Sequence, residues 1–387
     1  MILKHITEIK SKNKKDIIKL LYKKNIMSKK RIAAELELSP SVITKLCSEL
    51  IKENILVEMN RIDSKKLGRK EVEIKINPNY KKCIGITINH ISTDILLVDM
   101  QFQVIEKVSF KTSTNYENDL LKIVSTVQEI IYNYSLNNKD ILGIGISIKG
   151  NTDGIYSYSG IWGTKVNIKD YIENHLNIPT VIDNGIRCSA LLEQLYSNED
   201  NFMFIKYMEP GIGGAIILNG SIKRGENNLI MDFGHMIIDT NSDYCNICKR
   251  KGCLESIISI EKILINVKNN FSKEFCPVLW EICSGDLNNI NISNIIKAAD
   301  NGCININNIF KKNAQYFALC LINTYSIMDV NKIIIIGDLF SSKRFVSYFR
   351  TAVEEYQLTD IYDKIEMHFH ENVLLSPVAL LLNEYLF

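Results

Sequence analysis

One histidine, three cysteines and a glutamate crowd a single turn-rich stretch, GHMIIDTNSDYCNICKRKGCLES, as His235, Cys245, Cys248, Cys253 and Glu255. Three thiolates and one imidazole complete a tetrahedral zinc ion and leave no open coordination position, so the pattern predicts a closed, structural site. A C-x-x-C pair alone is a weak signal. The third cysteine beside Gly252 and the Gly-His pair ten residues upstream of Cys245 make a stronger one. The alternatives are three reduced surface cysteines with a hydrogen-bonded histidine, or a redox dithiol. A metal here would do no chemistry itself. It would brace the loop that presents His235 and Glu255, because metal binding at such a site is folding free energy.

A second constellation is basic. Residues 1–82 carry 21 Lys or Arg against 10 Asp or Glu, a net of +11, while residues 83–387 carry 25 against 34, a net of −9. The near-neutral total of +2 therefore hides a small basic module on a larger acidic body, the balance of a polyanion-binding head with a separate regulatory or catalytic domain. The bland reading, a solvated lysine-rich arm, conflicts with the pattern. Ile17, Ile18, Leu20 and Leu21 recur at helical spacing, Ser28 can cap a second helix burying Ile32, Ala33 and Leu36, and Ser39-Pro40 opens a third. In that third helix Ile43, Leu46, Cys47 and Leu50 share one face and leave Ser41, Thr44, Lys45 and Ser48 outward. Two strands joined by the basic turn RIDSKKLGRK follow, which makes a winged helix-turn-helix. Ser41, Thr44 and Lys45 are expected to reach base edges or phosphates in the major groove, and Arg69, with Lys65, Lys66 and Lys70, phosphates or the minor groove.

The elements that must position the loop and the head come next. With 387 residues, 46% hydrophobic and 23% charged, the chain has ordinary globular composition and room for two or three domains. No run is long and apolar enough to span a bilayer and the first residues lack a signal-peptide core, so the expected location is cytoplasmic. The cysteines outside the cluster sit singly in apolar segments and read as reduced core residues. From Tyr80 onward three strands are followed by a helix at about 117–136, the buried strand LGIGISIKG, a helix, the strand PTVIDN and a helix at 186–196. NFMFIKYM and GIGGAIILNG then repeat the opening, with Asn219-Gly220 a type I′ hairpin signal, before helices at about 254–269 and 289–329, the strand KIIIIGDL and a closing helix. Alternating strands and helices predict an α/β class with a mostly parallel sheet. Two similar halves place a ligand at the carboxyl ends of the strands, in a cleft between them.

These residues together resemble the ROK family of bacterial repressors and sugar kinases, specifically its xylose-repressor-like and NagC-like members, over nearly the whole chain. SPSVITKLCSELIKENILVE with LGRK resembles the family's winged helix, VIDNGIRCSALLE its sugar-site helix, PGIGGAIILNGSIKRG its glycine loop, DFGHM its E-x-G-H and the cysteine loop its zinc motif. The resemblance implies a winged helix-turn-helix followed by a two-lobed, actin-like ATPase fold. The implied organisation is a DNA-binding domain over 1–78, a first lobe over 79–190 with the helix of about 370–387 packing back on it, and a second lobe over 191–369 carrying the zinc loop. It also implies that Asn184, Asp232, His235 and Glu255 bind a sugar's hydroxyls, with His235 doubling as a zinc ligand beside Cys245, Cys248 and Cys253. Amide and carboxylate groups suit a polyol, since each hydroxyl donates and accepts.

The departures from the family pattern separate its two functions. Gly185 stands where the kinases carry the aspartate that serves as general base, a role worth about 10²- to 10⁴-fold, and no catalytic residue is expected. ITINHIS replaces the phosphate loop, putting Asn89 and His90 where backbone approaches ATP, and Gly337-Asp338 replaces a double glycine. These changes argue against ATP binding, and GIGGA at 211–215 reads as a tight strand connection rather than a phosphate cradle. Asp232 stands for the usual glutamate, Lys249 for a glycine of the zinc loop, and Lys149 for a proline. The expectation is a sugar-responsive repressor without kinase activity, a homodimer on pseudo-palindromic operator DNA, answering to a monosaccharide or sugar phosphate. Two alternatives remain open: a bifunctional sugar kinase, and a repressor controlled by a protein partner.

Overall fold

A computed structural model of the chain describes residues 2–59, 72–158, 160–197, 199–209, 211–356, 359–368 and 373–387. The chain divides into two compact units, residues 1–198 with 372–387, and residues 199–371.

The first unit opens with the basic head: α1 (Ile2–Lys24), β1 (Ile26–Ser28), α2 (Lys29–Glu35), α3 (Pro40–Lys52), β2 (Leu56–Glu58) and β3 (Glu73–Ile76). Ser28 Oγ accepts the Arg31 amide at the start of α2, and Ser39 Oγ accepts the Val42 amide at the start of α3, with Pro40 first inside the helix. Such caps are worth about 1 kcal/mol each. Ile17, Ile18 and Leu21 of α1, Ile32 and Ala33 of α2, and Ile43, Leu46, Cys47 and Leu50 of α3 are buried together with Ile74. Strand β3 lies between β1 and β2, antiparallel to both. Three residues are too few for β1 to show a period, which is why the sequence does not reveal it.

The rest of this unit is β4 (Lys82–Ile88), β5 (Ser92–Asp99), β6 (Val104–Lys111), α4 (Tyr116–Asn133), β7 (Ile141–Ile148), the short hairpin β8 (Tyr156–Ser157) and β9 (Val166–Asn167), α5 (Ile168–Leu176), β10 (Thr180–Asn184) and α6 (Gly185–Tyr196). Its sheet runs β10-β7-β4-β5-β6: an antiparallel meander β4-β5-β6 extended by the parallel strands β7 and β10.

The second unit contains β11 (Phe202–Met208), β12 (Gly211–Leu218), β13 (Ser221–Ile222), α7 (Leu254–Ile258), α8 (Ile260–Asn269), α9 (Pro277–Ile282), α10 (Ile292–Asp300), α11 (Ile304–Met328), β14 (Lys332–Gly337), α12 (Lys343–Glu355), α13 (Thr359–Tyr362) and β15 (Ile365–His368). Its sheet, β13-β12-β11-β14-β15, repeats the first: a meander β11-β12-β13, then parallel β14 and β15. Asn219 and Gly220 both have positive φ, 54° and 66°, as a type I′ turn requires.

The helix expected over 254–269 is two helices, because Ser259 ends α7 and its Oγ caps α8 through the Lys262 amide. The one expected over 289–329 is broken at Gly302, where φ is 94°. Cys276 and Cys303 depart from the reading of isolated, reduced core cysteines. They occupy the N-caps of α9 and α11 and are joined as a disulfide with Cα atoms 5.8 Å apart, 27 residues distant in sequence.

The closing helix, α14 (Ser376–Tyr385), belongs to the first unit and packs on β4 and β7. The glycines of LGIGISIKG make room for it: a Cβ on Gly145 would stand 1.9 Å from the Pro377 carbonyl oxygen. Among the described residues no helix is long and apolar enough to cross a membrane.

Candidate functional site

The head presents the face the sequence predicts. Ser41, Thr44, Lys45 and Ser48 are exposed on α3, opposite the buried Ile43, Leu46, Cys47 and Leu50. Thr44 Oγ1 donates to the Pro40 carbonyl and Ser48 Oγ to that of Thr44, both at 2.7 Å, and Ser41 Oγ lies 3.0 Å from Ser39 Oγ. The acidic residues at the end of α3 and its C-cap are turned elsewhere. Glu49 pairs with Lys10 and Lys14 of α1 and Glu53 with Lys14, and the hydrogen bonds from Lys10 and Lys14 hold the Glu49 carboxyl below its ordinary pKa. Glu49 and Glu53 are thus paired with cations of α1. The wing residues Lys65, Lys66, Arg69 and Lys70 lie outside the described residues.

In the body of the first unit, the turn after β4 is closed on itself. Asn89 Oδ1 accepts the amides of Ile91 (2.8 Å) and Ser92 (3.0 Å), so two backbone N–H groups of the turn are taken by a side chain of the same turn. His90 Nδ1 lies 3.3 Å from Lys149 Nζ. Asn184 ends β10 and caps α6: its Oδ1 accepts the Ile186 amide at 2.8 Å and its Nδ2 donates to the Gly150 carbonyl at 2.6 Å. The amide is therefore fixed in direction by the fold. Arg187, one turn into α6, buries its guanidinium against Asp183, Nε to Oδ1 2.6 Å. Gly185 sits between these residues, and a Cβ there would be 3.2 Å from Ser147 Oγ.

In the second unit the four donors converge. The ligand atoms of His235, Cys245, Cys248 and Cys253 all lie within 4.8 Å of one another, with Cys245 Sγ 3.6 Å from His235 Nδ1 and Cys248 Sγ 3.3 Å from Cys253 Sγ. Sulfur and nitrogen atoms bound to one tetrahedral zinc at about 2.0–2.3 Å must stand a little under 4 Å apart, so this donor set fits that ion. The backbone of the loop is held by its own hydrogen bonds. Cys245 N donates to Arg250 O, Ile238 N to Gly252 O and Leu254 N to Met236 O, each at 2.8–2.9 Å. Gly252, at φ 79°, has no space for a side chain: a Cβ would stand 2.0 Å from Asp239 O. Lys249 takes φ 61°, the left-handed region that favours glycine. Burial opposes ionisation of Cys248, but hydrogen bonds from the Arg250 amide and guanidinium, and then from Cys253 and Cys245, outweigh it and bring this thiol down to about 6. Burial and the neighbouring Cys248 sulfur push Cys253 the other way.

Two acidic residues flank the metal loop. Asp232 Oδ2 lies 3.4 Å from Arg250 Nη2, an exposed pair worth ~0–1 kcal/mol. Glu255 opens α7 and accepts the Ile212 amide through Oε2 at 3.1 Å. Its carboxylate occupies space left by two glycines, since a Cβ on Gly211 or Gly234 would come within 2.8 Å of it. Glycines 211 and 214 thus serve packing within β12, Gly214 lying against Met231 and Phe233. Arg250, which touches both Cys248 and Asp232, was missed from the sequence. A cation inside a thiolate loop is the signal that could have found it.

A model of the ROK family matches residues 83–370. The chain belongs to the ROK family. This ROK chain is 26% identical over 354 residues to the xylose repressor of Caldicellulosiruptor bescii, covering 87% of each. A solved ROK family transcriptional regulator, a homologue of the E. coli MLC protein, superposes with a TM-score of 0.78 at 22% identity, over 98% of this chain and 96% of that one. A ROK glucokinase from Streptomyces griseus, solved with glucose and AMPPNP, gives a TM-score of 0.62 at 18% identity, over 79% and 99%. The last two are likenesses of fold. They share an α/β ROK body, one in a regulator and the other in a sugar kinase.

Proposed function

We propose that this ROK protein is a sugar-responsive, DNA-binding repressor that does not phosphorylate its effector. The observation that carries the reading is the pairing of a basic head, whose α3 turns Ser41, Thr44 and Lys45 to solvent, with a ROK body whose phosphate turn is filled by its own Asn89. In the complex, α3 enters the major groove of operator DNA, Ser41, Thr44 and Lys45 meet base edges or phosphates, and Lys65, Lys66 and Arg69 of the wing add phosphate contacts. A homodimer places two heads on a pseudo-palindromic site with half-sites about 34–36 Å apart or a multiple of that.

The effector is a monosaccharide or sugar phosphate, and Asn184, Asp232, His235 and Glu255 supply its hydrogen bonds. The amide of Asn184 is already aimed by Ile186 and Gly150, and the carboxylate of Glu255 by Ile212, so both are preorganised before a hydroxyl arrives. His235, Cys245, Cys248 and Cys253 would hold a structural zinc ion, which ties the loop carrying His235 to the start of α7 and so to Glu255. His235 Nδ1 lies beside Cys245, which supports a reading in which that nitrogen would bind the metal and Nε2 would be left for the sugar.

Gly185 has no side chain to take a proton from a sugar hydroxyl. Melting the purified, zinc-loaded protein against monosaccharides and their phosphates, with and without ATP and magnesium, tests the reading. A ligand at 100 times its Kd stabilises by ~2.7 kcal/mol. A sugar-specific shift independent of nucleotide, with the same sugar changing affinity for selected operator DNA, is expected. Sugar-dependent ADP release would refute the absence of kinase activity, and no sugar shifting the melt would refute the effector.

A further inference from the structure

The reading head and the first lobe meet through a cluster of aromatic rings. Tyr22, in the last turn of α1, packs edge-on against Phe102 (centroids 5.8 Å, 78°) and against Phe387 (5.7 Å, 80°). Phe102 in turn lies 6.5 Å from Tyr196, the last residue of α6, and Lys19 Nζ sits 5.5 Å over the Phe387 ring. One turn of α1 is therefore held by three separate parts of the lobe: the β5–β6 turn, the end of α6 and the end of α14.

The holding side is itself rigid. Phe102 is fixed at φ 62°, a conformation disfavoured for a bulky side chain, and Asp99 Oδ1 locks its turn by accepting the amides of Gln101 (2.7 Å) and Gln103 (3.0 Å). Gln101 Nε2 then donates to the Ile76 carbonyl at 2.7 Å, which pins the end of β3, the chain's exit from the head, to the same turn. The Tyr22 hydroxyl is buried and has no hydrogen-bond partner among the described residues. The ring is thus present for its packing. Nearer its middle α1 pairs Lys10 and Lys14 with Glu49 of α3 and Glu53 at its C-cap, so the helix that the lobe grips also carries the reading helix.

We infer that Tyr22, Phe102, Tyr196 and Phe387 form a clasp that makes the winged helix and the first lobe one mechanical body, with Tyr22 the positioning residue for α3. The inference rests on the DNA reading above only for its consequence: the heads of a dimer are set by their lobes and not by swivelling tethers, so the spacing of half-sites is fixed. Asn184 caps the first turn of the same α6 whose last residue touches Phe102, about 18 Å away at 1.5 Å per residue. An effector seated at Asn184 meets a helix already fastened to the head.

The test uses the full chain and compares Tyr22→Ala with Tyr22→Phe, which keeps the ring and removes only the unpaired hydroxyl. By calorimetry with hydrogen exchange to assign the transitions, the wild type and Tyr22→Phe should melt the head together with the first lobe. Tyr22→Ala should release the head as an earlier, separate transition. Tyr196→Ala, which leaves α1 unchanged, should do the same more weakly. On operator DNA selected from a random pool, inserting about half a helical turn (~5 bp) between half-sites should weaken wild-type binding at least about tenfold and Tyr22→Ala less than about threefold. A loss of folding alone would not relax that discrimination. An independent head transition in the wild type, or unchanged spacing discrimination in Tyr22→Ala, overturns the clasp. The calorimetric arm needs no DNA: failure of the DNA reading would appear as no operator binding with the joint transition intact, which supports the clasp.

Discussion

Replacing Gly252 by alanine should open the metal loop, and the structure sets the size of the effect. At φ 79° an L-residue costs about 1–2 kcal/mol. The added Cβ would also stand 2.0 Å from Asp239 O and 2.6 Å from its carbonyl carbon, where real Cβ atoms keep at least 3.0 Å. The segment around Asp239 must therefore move by about 1 Å, at an overpacking cost of ~1–3 kcal/mol. Together these give roughly 2–5 kcal/mol, or about 4–20 °C in Tm for a unit of this size. Gly302→Ala is the control. Gly302 also has positive φ, 94°, but nothing lies within 4 Å of its missing Cβ, so only the backbone cost of ~1–2 kcal/mol applies. Differential scanning calorimetry of both variants with excess zinc, together with zinc retention against a chelator, separates the two contributions. Gly252→Ala should lose zinc about 10- to 100-fold more readily than the wild type, since the Ile238 amide is bonded to the Gly252 carbonyl and the cysteines hang from that frame. If Gly252→Ala melts with Gly302→Ala and keeps wild-type zinc affinity, the argument that this glycine shapes the metal loop is wrong.

Cys248→Ser should lower bound zinc, measured by elemental analysis, from about one ion per chain to near none, with faster hydrogen exchange across 236–254. Lys249→Gly relieves a left-handed lysine and should stabilise the second unit by roughly 1 kcal/mol in a thermal melt. Thr44→Ala should weaken operator binding by ~1–3 kcal/mol and relax preference at one base position, while Lys45→Ala, as a phosphate contact, should reduce the salt slope by about 1 in fluorescence anisotropy. Gly185→Asp should not create sugar-dependent ATP hydrolysis, because Asn89 still fills the phosphate turn and the new side chain abuts Ser147.

The legible parts of this chain were those written in local period or local spacing. The faces of α3 follow from the positions of Ile43, Leu46, Cys47 and Leu50, and the gathering of His235 with Cys245, Cys248 and Cys253 from ligand spacing within one loop. Capping by Ser28 and Ser39 and the positive-φ pair Asn219-Gly220 belong to the same class. What escaped depends on partners distant in sequence. Strand β1 exists because β3 pairs with it, and Cys276 meets Cys303 only after α9 and α10 have packed. The break at Ser259 was local and still missed, because Ile258 and Ile260 keep the helical apolar pattern running through it. The role of Gly211 and Gly234 became visible only with Glu255 in place: a glycine in a strand signals close approach, without saying of what. Asn89 read as a lost phosphate loop, but its occupation of the turn by its own carbonyl is a matter of geometry that no spacing encodes.

That filled turn has a consequence for signalling. A protein that phosphorylates its sugar spends ATP at each encounter and releases a different molecule, so its state reports a flux. With the turn after β4 closed by Asn89 on its own amides, the body proposed here lets its ligand leave chemically unaltered. Occupancy is then an equilibrium quantity, set by the free concentration of the sugar and reversible without energy input. By reciprocity, the operator must alter the sugar's affinity by the same factor by which the sugar alters the operator's. Such a device behaves as a gauge rather than a meter of throughput.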